Sequence, residues 1–171
     1  MLYASEVWDS QDIKDIEQVQ YKFCKYVLGL PPKSINDVAL GELGRVYLSS
    51  FAIHRKVKYW LNILKHDDNR FTSICYKNML AMSENNTPCW TTEVKQILFT
   101  AGFGDVWLQQ GVEDESSFLV SFLERLTDIN KQTWKTNVNN MNRLSLYRLY
   151  KTHNDFEFYI THILVSSLIV I

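Results

Sequence analysis

Apolar residues in this chain recur at three- and four-residue spacing, and that spacing leaves little room for anything but helices. Ile13, Ile16, Val19, Phe23, Val27 and Leu30 fall on one face of a helix, whereas a half-buried strand needs alternation with a period of two. Ser10 can cap this helix, and Gly29 with Pro31 and Pro32 ends it, because Pro lacks a donor and restricts the residue before it. The period returns in Ile53, Val57, Trp60, Leu61 and Leu64 over residues 48–66, and in Phe71, Ile74, Cys75 and Leu80 over 70–82. It returns again in Val94, Ile97, Leu98 and Ala101 before Gly102, and in Phe118, Phe122, Leu126, Ile129 and Trp134. Three Pro and six Gly in 171 residues are too few for a turn-rich β-sandwich. The expected class is therefore all-α, an irregular bundle of about six to eight helices in a single domain.

Finer punctuation divides the chain further. Ser34 to Asp37 reads as the start of a brief helix ending at Gly41 or Gly44, Ser83 to Pro88 as a loop, and Asp105 to Trp107 as one turn closed by Gly111. Asn137, Asn139 and Asn140 are expected to break the long helix, and a further one is expected over 142–151. The reading gives an extended lead-in over 1–12, a helical body over 13–160 and an apolar tail over 161–171. The segment 156–171 is shorter than the roughly 20 residues a bilayer span needs, so no membrane partner is expected. Strands could occur only among the β-branched residues of 164–171.

Little in the chain suggests chemistry of its own. No GxGxxG, Walker loop, HExxH or Gly-x-Ser-x-Gly occurs, so no cofactor is expected. Cys24, Cys75 and Cys89 are three widely spaced thiols, and gathering Cys75, Cys89, His54 and His66 around a metal would need residues that also fit apolar helix faces. Asp67 and Asp68 are adjacent, as in two-metal polymerase sites, but they stand in the polar string KHDDNR, which suits a loop between helices. The N-terminal LYASEVWDSQD has no basic and apolar leader pattern, so an intracellular product, nuclear or cytoplasmic, is expected.

A net charge of −1 and a pI near 6.4 exclude a surface wholly adapted to nucleic acid, but not a local basic face. The second long helix carries Arg55, Lys56, Lys58 and Lys65, with no acid between Arg45 and Asp67. Cations on one helix face can neutralise successive phosphates; the simpler reading is a solvated face that keeps the domain soluble. Trp8, Trp60, Trp90, Trp107 and Trp134 could stack on bases or fill the core.

Six strings add a resemblance. In order they are LYASEVW (Leu2–Trp8), IEQVQYKFCKYVLGL (Ile16–Leu30), GELGR (Gly41–Arg45), KYWL (Lys58–Leu61), GFGDVWLQQGV (Gly102–Val112) and YRLYKT (Tyr147–Thr152). Together they resemble the region downstream of the palm in jockey-like non-LTR, LINE-type retrotransposon reverse transcriptases, with coverage from Leu2 to about Ile160. The family usually has Gly where Ala4 and Asp9 stand, and an aromatic–Pro pair where Val46 and Tyr47 stand. The resemblance implies a helical thumb-like domain and the segment after it, catalytically inactive by itself because the family's catalytic aspartates lie upstream. It implies weak binding of an RNA–DNA hybrid or RNA through phosphates, with Arg55, Lys56, Lys58 and Lys65 as the contacts, and a palm domain as packing partner. The ending VSSLIVI departs from the family and looks like truncation or a frame change. The alternative is a helical protein-interaction module with an exposed aromatic patch around Trp107 or Trp134.

Overall fold

The computed structural model describes residues 3–8, 10–85, 87–157 and 160. Its α-helices are α1 (Ser10–Val27), α2 (Asn36–Glu42), α3 (Leu48–Leu64), α4 (Phe71–Glu84), α5 (Trp90–Ala101), α6 (Gly104–Leu108), α7 (Glu115–Asn140) and α8 (Tyr147–Tyr150). Among the described residues there is no β-strand; an isolated antiparallel bridge joins Leu43 to Phe156. The protein is an all-α, multi-helix fold. Its backbone contacts separate two compact units, residues 1–11 with 49–126 and residues 12–48 with 127–171, and each is taken by itself.

In the first unit, α3, α4, α6 and the first half of α7, with Phe103 between α5 and α6, supply an aromatic core. Trp60 is fully buried and stacks on Trp107 with ring centroids 5.6 Å apart. Phe103 meets Phe118 edge to face at 5.4 Å, and Phe118 stacks on the buried Phe122, offset and perpendicular geometries that satisfy the ring quadrupoles. The Trp60 indole N–H donates to the Tyr76 hydroxyl at 3.0 Å, so its one polar atom is matched inside the core. Gly102, at φ 88°, ends α5 in the left-handed region, as the sequence predicts.

In the second unit, α1 and α2 meet through Cys24, Ala39 and Leu40, and Trp134, Val138 and Leu144 form a second cluster. The Trp134 indole N–H donates to the Asp37 carbonyl at 2.7 Å. Gly41 lies directly under that indole, with a Cβ built there falling 2.7 Å from the ring, so this close approach requires glycine. Gly44 sits at φ 56°, and a Cβ there would lie 2.4 Å from the Phe156 amide nitrogen. Both glycines belong to the GELGR string.

Several expectations change. The lead-in holds a 3-10 turn at Ser5–Val7, and α1 already begins at Ser10. α7 ends within the asparagine cluster, as expected, but at its last member, Asn140, rather than at Asn137, and so runs 26 residues. Val138 is buried and Asn137 half-buried there, and packing of this kind outweighs the weak helix propensity of Asn. The helix expected over 142–151 is instead a 3-10 turn at Asn142–Leu144 followed by the one-turn α8. The strand and tail expectations over 161–171 lie outside the described residues.

Ala4 precedes the 3-10 turn at φ 53°, ψ 24°, a left-handed conformation that burdens any residue with a Cβ by about 1–2 kcal/mol. This is a position where the resembled family has glycine. Ala4→Gly is expected to raise the unfolding free energy by about 0.5 kcal/mol, the relieved strain being partly offset by the extra unfolded-state freedom of glycine. Urea denaturation of the two proteins measures it; a loss of stability would contradict the strain.

Candidate nucleic-acid interface

α3 contains neither Gly nor Pro over its 17 residues, and its two sides differ sharply. Ala52, Lys56, Val57, Trp60, Leu61 and Ile63 are buried. Phe51, Arg55, Lys58, Asn62 and Lys65 are exposed, a spacing of four, three, four and three that keeps them on one face. Arg55, Lys58 and Lys65 thus form a row of cations about 15 Å long at about 1.5 Å rise per residue. No acidic residue interrupts it within the helix.

Three of the four expected contacts therefore share a surface, and Lys56 does not. Its side chain is 2% exposed, and its ammonium donates to Glu93 Oε2 at 2.5 Å and to the Trp8 carbonyl at 2.8 Å. This places it off the exposed row on which it was expected. One residue beyond Arg55 means about 100° around the helix, which puts Lys56 in phase with the apolar Ala52, Trp60 and Ile63. A buried ammonium has to be paired, and Glu93 supplies the charge. Lys65 is exposed and paired with Glu115, a contact that water and salt screen. Lys58 stands clear on the surface. The exposed phase also brings Phe51 and Asn62 into the row; the sequence reading missed them because it searched only for charge.

His54 adds no cation. It stacks on Phe122 at 6.5 Å, and burial, with a smaller push from the Lys58 charge, lowers its pKa below the usual histidine value despite a hydrogen bond that the ring donates to the Leu119 backbone carbonyl, which acts the other way. The ring is neutral at pH 7. Trp60, Trp107 and Trp134 are buried in the core, which removes them as stacking platforms and removes Trp107 and Trp134 as a docking patch. Trp90 is half-buried, with its indole N–H donating to the Glu6 carbonyl at 2.9 Å.

The other expected constellations separate. Asp67 and Asp68 are exposed, and Asp68 pairs with Lys77 at 2.9 Å. Among the described residues no three His, Cys, Asp or Glu side chains converge as metal ligands. Cys24 is buried, and that burial raises its thiol pKa. Cys89 is the N-cap residue of α5. Burial alone would raise its pKa, but hydrogen bonds from the Thr91 and Thr92 hydroxyls and amides outweigh it and hold the thiol below its ordinary value.

Comparison of the chain with protein-family models, curated proteins and solved structures finds no match.

Proposed function

We propose that this chain is a non-catalytic, all-α module that binds an RNA–DNA hybrid or RNA weakly through backbone phosphates, as the thumb-like region of a LINE-type reverse transcriptase would. The observation that carries the reading is the exposed row of Arg55 and Lys58 on α3, continued by Lys65 just past the end of the helix. The six ordered strings support the family, and Ala4, in a glycine-like conformation where that family has glycine, agrees with it. The bond-making chemistry of such a polymerase belongs to a palm, and no step of it is assigned to these residues.

The test is the salt dependence of binding to a hybrid duplex. Three phosphate contacts predict a slope of log K against log salt of about −2 to −3. Arg55→Ala with Lys58→Ala is expected to reduce the magnitude of that slope by about 2. A flat salt response, or an unchanged slope in the double variant, overturns the reading.

A second reading, a helical protein-interaction module, rests on a different face. Val19, Phe23 and Tyr26 lie one above another on α1 and are 47%, 56% and 84% exposed, an apolar stripe of the kind that partner helices cover. An affinity indifferent to salt but lost in the variant Phe23→Ala, Tyr26→Ala would decide for it.

A further inference from the structure

A second basic feature lies in the other unit. A pocket of about 150 Å³ is lined by Lys131, Trp134 and Lys135 of α7 and by Thr152, His153 and Asp155 of the segment after α8. Lys131 and Lys135 are exposed and stand four residues apart, on neighbouring turns of one face. The Thr152 hydroxyl lies 2.8 Å from His153 Nδ1; with that hydroxyl donating, the ring proton sits on Nε2 as a further donor. The opposite wall is fastened from behind: the buried Lys151 ammonium donates to the Asp155 carbonyl and to Glu157 Oε1, each at 2.5 Å. Asp155 keeps its own carboxylate exposed.

Two lysines and an aspartate line this pocket together. A bare phosphate satisfies the lysines and is repelled by Asp155. A phosphate with a hydroxyl beside it satisfies both, because the hydroxyl donates to the carboxylate. Ribose places its 2′-hydroxyl next to the 3′-phosphate, and deoxyribose has no such donor. The pocket has room for a sugar–phosphate edge with the base left outside. We infer that the pocket of Lys131, Lys135 and Asp155 is a ribose-phosphate site for an RNA strand, indifferent to base sequence. This rests on the nucleic-acid reading above for the identity of the polymer, and on the pocket alone for its chemistry.

The test uses the full chain and three small probes, uridine 3′-monophosphate, 2′-deoxyuridine 3′-monophosphate and inorganic phosphate, followed through the Trp134 indole N–H resonance at the pocket wall. The ribonucleotide is expected to bind about tenfold tighter than its deoxy counterpart, the effect of one charge-assisted hydrogen bond. Asp155→Ala should level the two, and Lys131→Gln with Lys135→Gln should abolish binding of both while unchanged thermal melting shows the variants folded. Equal binding of the two nucleotides, phosphate binding as tightly as either, or shifts that survive the double lysine variant overturns the site. A short RNA strand should then outbind the same DNA strand, and a nucleotide preference that does not extend to the strands overturns its assignment to a polymer. The mononucleotides are too small to span the α3 row. Failure at the pocket therefore leaves the hybrid titration standing, and failure of that titration in the Arg55, Lys58 variant leaves the pocket standing.

Discussion

Replacing Trp134 with alanine is expected to lower the unfolding free energy by about 3–5 kcal/mol, the range for deleting a buried aromatic side chain. The side chain is 2% exposed and packs with Val138 and Leu144. Its indole N–H is also the donor to the buried Asp37 carbonyl at 2.7 Å, so truncation leaves an acceptor without its partner as well as a void. Gly41 makes collapse of that void harder. It approaches the indole so closely only because it has no side chain, and without the ring nothing on α2 can fill the gap. Trp134→Phe separates the two contributions: most of the ring remains, the N–H is lost, and about 1–2 kcal/mol is expected. Urea denaturation of both variants measures the difference, and a loss below about 1 kcal/mol for Trp134→Ala would show that the cluster does not hold the second unit together.

How much of this could be read from the sequence depended on which force decided each feature. The end of α1 followed from Gly29, because left-handed turns are local, and its start fell at Ser10, the residue read as its cap. The extent of α7 did not. Asn137, Asn139 and Asn140 carry a local signal to stop, and α7 does end at the last of them; it runs on past Asn137 because Val138 buries itself beside Trp134 and Leu144, a contact invisible before folding. The basic face of α3 was legible in its charges and misjudged in its phase. Arg55, Lys58 and Lys65 were placed on one surface, whereas Lys56 required the 100° step between neighbours to be set against the apolar stripe. The pocket at Lys131 was not legible at all, since Lys131 and Lys135 on α7 come to line it with Asp155 only through the turn after α8. The aromatic residues show the same division. Their spacing announced a helical core, but which rings faced inward was decided by pairings such as Trp60 on Trp107.

Lys56 provides the sharpest contrast between a stabilising cation and a binding one. Glu93→Gln removes the carboxylate that, among the described residues, compensates a buried ammonium, and leaves the Trp8 carbonyl bond in place. Breaking a buried pair from one side typically destabilises by 3–5 kcal/mol. The Glu93 side chain is 43% exposed, so water screens part of the interaction and about 2–3 kcal/mol is expected here. Lys56→Met should behave differently, because it removes the buried charge itself and substitutes an apolar chain of similar length. Its stability is expected to lie within about 1 kcal/mol of the parent. The same variant also addresses function. Were Lys56 a phosphate contact, losing it would lower the salt slope by about 1; since its ammonium points into the unit toward Glu93 and Trp8, Lys56→Met should leave hybrid binding and its salt slope unchanged while Lys58→Ala reduces both. A lower slope in Lys56→Met would mean that the buried pair opens to release the lysine on binding, and the row on α3 would then have four members.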